Sequence, residues 1–241
     1  MDNKAKQKVK HCQSILKATT KKLAAEDIVF HFDFTNPQDW LGRRWMHGVK
    51  SRSSLMFSSE KLNHLVTKMR KSMVTMNPDI IRATKNPVHV WSQNETLSAN
   101  KFKTGLFNEL GYEKQISIGF DSPKFSQLRS SFCVFYGSDC NMPETERLAL
   151  LQNSMLDLEL LSSHLSMLGV LNSPVEDYGL LKAPTVAVIR NVAKGYSRNQ
   201  LSTIHSMSAR GIDYHIEKAR LTLGANNSAS LVDKAHEMML I

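Results

Sequence analysis

Residues 185–241 read as a succession of helix starts and stops with no strand signal between them, so the last part of the chain is limited to a small all-α unit. Gly195 follows the helical stretch PTVAVIRNVAK. Ser197, with Gln200 three residues on, has the spacing of a capping box. Ser208 opens a longer helix that Gly224 closes, and SASLVDKAHEMMLI supplies the last one. A short helix, a tight turn at Ser206–Met207 and a longer helix match a helix-turn-helix, whose last element enters a DNA major groove.

Ile212, Ile216 and Ala219 then face the core of that unit, leaving Arg210, Asp213, Tyr214, Glu217 and Lys218 outward. Arginine and lysine bridge phosphates or guanine edges, and a carboxylate accepts from cytosine N4. Arg198 and Ser208 complete the expected DNA-contacting set. A solvated helix face of mixed charge has the same pattern. The net charge of +9 favours an anionic partner, with nucleic acid first and a membrane surface second.

The longer first part alternates strands and helices. Lys4–Leu23 has helical spacing, with lysines away from its apolar positions. DIVFHFDF (27–34) sets Phe30, Phe32 and Phe34 against Val29, His31 and Asp33, as in a half-buried strand with its aromatics inward. Residues 36–57 read as a loop anchored by Trp40 and Trp45, and 58–76 as a helix capped by Ser59. Pro78 opens a short helix, and 98–111 is a helix ending at Gly111. Strands are expected at 87–93, 115–121 and 130–137, with a hairpin through 122–126 and one long helix over 143–168. The fold class is α+β. An α/β/α, PAS-like sandwich (1–171) is followed by a linker with Pro, Gly and acidic character (172–184) and the all-α helix-turn-helix unit (185–241).

The final unit resembles the DNA-binding domain of LuxR-type transcription factors. Val188, Ile189, Val192, Ala193, Gly195, Ser197, Leu201, Ile204, Ser208, Arg210, Ile212, His215, Leu223, Gly224, Asn227, Ala229, Val232, Ala235, Leu240 and Ile241 fall on that family's pattern without a gap. Ala187, Ser206 and Asp213 depart from it at a glutamate, a turn glycine and a common basic position. The resemblance implies a cytoplasmic homodimer on a pseudo-palindromic operator, a small-molecule autoinducer, and RNA polymerase as a further partner. It also implies that the first part holds the signal. In the family's lactone fingerprint, Pro78 and Trp91 match, Asn77 replaces the aspartate, and His64 and Lys68 replace the aromatic pair. A conventional acyl-homoserine lactone is therefore not expected. The VqmA-like branch, which includes a vibriophage receptor and binds a pyrazinol, lacks the same fingerprint. The candidate ligand-binding residues are Phe32, Phe34, His64, Lys68, Asn77, Trp91, Phe102, Ser117 and Phe132. On a strand, such aromatics are more commonly plain core.

No G-x-S-x-G, H-E-x-x-H or Walker A occurs, so an enzyme is not expected, and His31 and Asp33 alone define no triad. Cys12, Cys133 and Cys140 show no metal spacing, so neither a metal nor a cofactor is expected beyond the signal. No apolar run reaches the length of a membrane span, and MDNKAKQKVK is no signal peptide. The alternative function is a LuxR-like module that titrates another regulator by heterodimerising, without its own operator. The apolar stripes of 143–168 and of the last helix (Leu231, Ala235, Met238, Met239) are candidate dimer contacts, with packing inside the chain as the alternative for both.

Overall fold

The alternation in DIVFHFDF becomes β1 (Asp27–Phe34), a central strand of an antiparallel sheet. The structure is a computed structural model. It describes residues 3–42, 48, 50, 52–72, 87–91, 105, 107, 109–122, 125–137 and 140–241. The sheet also contains β2 (Leu55–Phe57), β3 (Val88–Trp91), β4 (Tyr112–Asp121) and β5 (Leu128–Gly137), in the order β2-β1-β5-β4-β3. β4 and β5 form the expected hairpin, pairing Asp121 with Arg129 next to its turn.

Both faces of the sheet are covered. On one, Ile28, Phe30, Ile116, Phe132 and Val134 meet Cys12 and Leu16 of α1 (Asn3–Lys22). Leu151 of α4 (Glu144–Asn153), with Leu158 and Leu165 of α5 (Met155–Met167), packs on the same side. Each such buried side chain contributes about 1.5–3 kcal/mol. On the other face, Val29, Tyr112 and Phe135 pack against Leu62 and Leu65 of α3 (Glu60–Ser72).

Several expectations are corrected. The single helix over 143–168 is two, because Ser154 leaves helical geometry at φ −98°, ψ 1°. Leu151, Leu158 and Leu165 all face the core at seven-residue intervals, and a straight helix drifts about 20° over each such interval. The expected loop at 36–57 contains α2 (Pro37–Leu41) and β2, because the ladder partners offered by β1 order the latter. Trp40 does anchor this stretch, stacked on Phe34 with ring centroids 4.8 Å apart. Trp45 and the helix opening at Pro78 lie outside the described residues. Gly105, Phe107 and Glu109 are helical, and Gly111 takes the left-handed φ of +74° expected at a helix stop.

The segment 172–184 is packed rather than a free tether. α6 (Pro174–Asp177) buries Pro174 and Val175, and the Ser173 hydroxyl donates to the Met238 carbonyl at 2.5 Å. Four helices follow, namely α7 (Ala183–Ala193), α8 (Arg198–His205), α9 (Ala209–Leu223) and α10 (Ser228–Glu237). Their ends follow the local chemistry. Ser197 and Gln200 form the reciprocal capping box, Ser208 accepts from the Gly211 amide, and Gly224 closes α9 at φ +67°. Val188, Leu201 and Ile212 join α7, α8 and α9 in one small core. A second core unites Val186, Ile189, Ala219, Leu223 and Leu231 with Phe32, Phe34 and Leu128 of the sheet. Leu231, Ala235 and Met238 are thus buried within the chain, so that stripe is no dimer surface.

Candidate functional site

Directly paired residues on neighbouring strands share a face, so the register defines what lies beneath α3. His89, Ser117, Cys133 and Val29 form one row across β3, β4, β5 and β1. Gly119, Ser131 and His31 form the next, and Asp121, Arg129 and Asp33 the last. At one end this face is apolar, with Val29, Phe135 and Tyr112 against α3. Its middle is a polar strip. Gln115 Nε2 donates to Ser117 Oγ at 3.3 Å, Ser117 Oγ lies 3.4 Å from Cys133 Sγ, and Cys133 Sγ lies 3.7 Å from His31 Nε2. Arg129 lies flat across Gly119. A Cβ at Gly119 would fall 2.1 Å from the Arg129 guanidinium, so only glycine permits this approach.

The far end is ionic. Arg52 donates through Nε to Asp177 at 3.1 Å, through Nη1 to Asp33 and through Nη2 to the Phe32 carbonyl. Asp177 Oδ1 also accepts from the Ser53 amide and hydroxyl, both at 2.8 Å, and the Tyr178 hydroxyl donates to Asp33 at 3.0 Å. Arg70 donates to the Arg52 carbonyl at 3.1 Å. Burial pushes Asp33 above the usual carboxylate range. Burial also raises Asp177, but Arg52 and Ser53 outweigh it and hold that carboxyl low. Burial, then Arg52, Arg70 and Arg129, push His31 down to about 3, so it is neutral at pH 7.

That shift has a measurable sign. Between pH 6.5 and 3 the folded chain binds fewer protons at His31 than the unfolded chain, so stability falls as pH falls through that window. The rise at Asp33 acts in the opposite sense just above pH 3.8. The difference between wild type and H31N isolates the histidine. We expect it to change by up to about 1.4 kcal/mol per pH unit in denaturant titrations from pH 6 to 4. A flat difference would mean that His31 titrates normally.

Among the described residues, the expected ligand positions do not converge on one place. Ser117 belongs to the polar strip. Phe132 is on the opposite face, packed at 5.0 Å on Phe30, and Phe32 and Phe34 sit in the core shared with the C-terminal helices. Strand parity assigns them there. His64 is exposed, and Lys68 is half-exposed with Glu109 at 3.7 Å, because Leu62 and Leu65 take the inner side of α3. Asn77 and Phe102 lie outside the described residues, and Trp91 is placed by its backbone register opposite Gln115. The sequence reading missed Arg52, Arg70 and Asp177. The one available signal was a charged residue, Asp33, alternating with phenylalanines.

On α9, Arg210, Tyr214, Glu217 and Lys218 are exposed, Tyr214 at 64%. Arg198 of α8 pairs with Asp213, and Arg220 with Glu217 at 3.0 Å. The Ser208 hydroxyl is engaged as the cap of α9. Among the described residues no cluster of His, Cys, Asp or Glu could hold a metal, and no helix is long and apolar enough to cross a membrane.

No family model matches the sequence. Among solved structures, Escherichia coli SdiA in space group P6522 is similar at TM-score 0.50 and 13% identity, over 97% of this chain and 92% of that one. SdiA in complex with octanoyl-rac-glycerol matches at TM-score 0.46 and 12% identity, over 96% and 89%. The phage VqmA–DPO complex matches at TM-score 0.25 and 14% identity, over 61% and 68%. Along nearly its whole length, the chain has an SdiA-like fold of antiparallel sheet and helices.

Proposed function

We propose that the chain is a ligand-responsive, dimeric DNA-binding regulator of the LuxR type, with residues 1–171 as sensor, 172–184 as connector and 185–241 as a helix-turn-helix unit. The observation that carries this reading is α9. Its buried side is Ile212, Ala219 and Leu223, and one turn after α8 it holds Arg210, Tyr214 and Lys218 in solvent. That is the arrangement a groove-reading helix needs.

The signal would lie between α3 and the sheet, on the polar strip of His31, Cys133, Ser117 and Gln115. His64 and Lys68 turn away from this face, so the two aromatic contacts of a lactone receptor have no counterpart at those positions. A small signal with a hydrogen-bonding edge, such as a pyrazinol, fits the strip better. Leu156, Leu160 and Met167, 62–71% exposed along α5, are the proposed dimer contact. Native mass spectrometry of protein from a bacterial host reads both features. We expect a dimer with retained small-molecule mass, and an apo monomer at micromolar protein would count against the sensor-dimer reading.

The ion pairs on α9 favour a second reading, a titrating module without an operator, because they occupy Arg198 and Arg220 with carboxylates. Binding to a duplex selected from random DNA separates the two. Arg210→Ala is expected to weaken it about tenfold or more, the equivalent of 1–3 kcal/mol. Asp213→Asn, which releases Arg198, is expected to strengthen it and steepen its salt dependence. If neither wild type nor D213N binds any duplex at low salt, the titrating module stands instead.

A further inference from the structure

α1 carries seven lysines and no aspartate or glutamate between Asn3 and Lys22. Its apolar side, with Cys12 and Leu16, is spent on the sheet. The lysines divide into two sets. Lys8 donates to the Leu168 carbonyl at 3.0 Å and Lys22 pairs with Asp157, so this side of the helix lies along α5. Lys6, Lys10, Lys17 and Lys21 project elsewhere, within a sector of about 60° at 3.6 residues per turn, in a row about 22 Å long. All four are exposed, and no ion pair among the described residues involves them. A row of like charges repels itself and costs stability unless an anion neutralises it.

Position selects the anion. α1 runs antiparallel to α5, with Lys22 at Asp157 and Lys8 at Leu168. From Leu168 the chain passes through Leu171, which packs on both large cores, to Ser173 and its hydrogen bond to Met238. The row therefore begins at the end of the sheet where the C-terminal helices dock. A helix that inserts into a lipid surface does so through an exposed apolar side, and no residue of α1 is among the exposed large hydrophobic ones, which leaves α1 only electrostatic attraction to lipid headgroups.

We propose that Lys6, Lys10, Lys17 and Lys21 grip the sugar–phosphate backbone of the same DNA that α9 reads, outside the base pairs α9 contacts. This rests on the DNA-binding reading above. The test uses the full chain and two duplexes carrying a site selected by the wild type, one of about 20 and one of about 40 base pairs, followed by fluorescence anisotropy across a salt series. Wild type is expected to prefer the longer duplex. K6Q/K10Q/K17Q/K21Q should lose that preference, and its slope of log Kd against log salt should shrink by about 0.9 for each phosphate that is no longer neutralised. The matching arginine variant should keep both, with far-UV circular dichroism showing all three folded. A glutamine variant with wild-type slope and length preference overturns the proposal and leaves the operator reading standing. Absence of wild-type binding to every duplex at low salt overturns both. Loss of binding to phosphatidylserine vesicles, with DNA slopes unchanged, overturns it in favour of lipid headgroups.

Discussion

Arg52→Met is expected to lower the thermal midpoint by roughly 6–20 °C, the equivalent of about 3–5 kcal/mol in a chain of this size. The Arg52 side chain is 2% exposed and Asp177 is 1% exposed, so removing the guanidinium strands a carboxylate without water to solvate it. The loss reaches further than one pair, because the same guanidinium serves Asp33, Asp177 and the Phe32 carbonyl. Lysine does not replace it, since an ammonium lacks the planar fork that reaches three acceptors at once. R52M/D33N/D177N removes the stranded charges with their partner and should recover part of the midpoint. A shift below about 2 °C in R52M would show that water reaches the carboxylates.

Phe34→Ala is expected to cost about 3–5 kcal/mol as well, but with a different thermal signature. Phe34 is 1% exposed, stacked between Trp40 and Tyr178, and buried in the core that includes α7, α9 and α10. Truncating it opens a cavity at the seam between the sheet and the C-terminal helices. Scanning calorimetry should therefore change from one transition to two. Phe30→Ala is the control, because Phe30 is equally buried but packs only in the core under α1. It should lower a single transition. Two transitions for F30A, or one for F34A, would show that the seam lies elsewhere.

What was legible in the sequence was local. β1 spans the eight residues whose alternation marked it, and the caps at Ser197, Ser208 and Gly224 act where their side chains or their freedom of φ require. What was not legible depended on distant partners. Arg52 meets Asp177 across 125 residues, and no local pattern announces such a pair. Parity showed that Phe32 and Phe132 share a face, but both faces of this sheet are covered by helices, so burial could not say which one a ligand would share. The helix break at Ser154 escaped notice because serine is tolerated in helices and the apolar spacing continues across it. The apolar side of α10 invited a partner because periodicity names a buried stripe without naming what buries it.

The octapeptide DIVFHFDF answers to two masters on alternate letters. Its odd-numbered residues, Val29, His31 and Asp33, look toward α3, while Phe32 and Phe34 look toward the helices proposed to hold DNA. Both sets hang from one backbone, so a displacement of β1 at one face also moves the side chains of the other. Under the function proposed above, a substitution at His31 would alter which molecule is held and leave untouched the phenylalanines that seat the C-terminal helices.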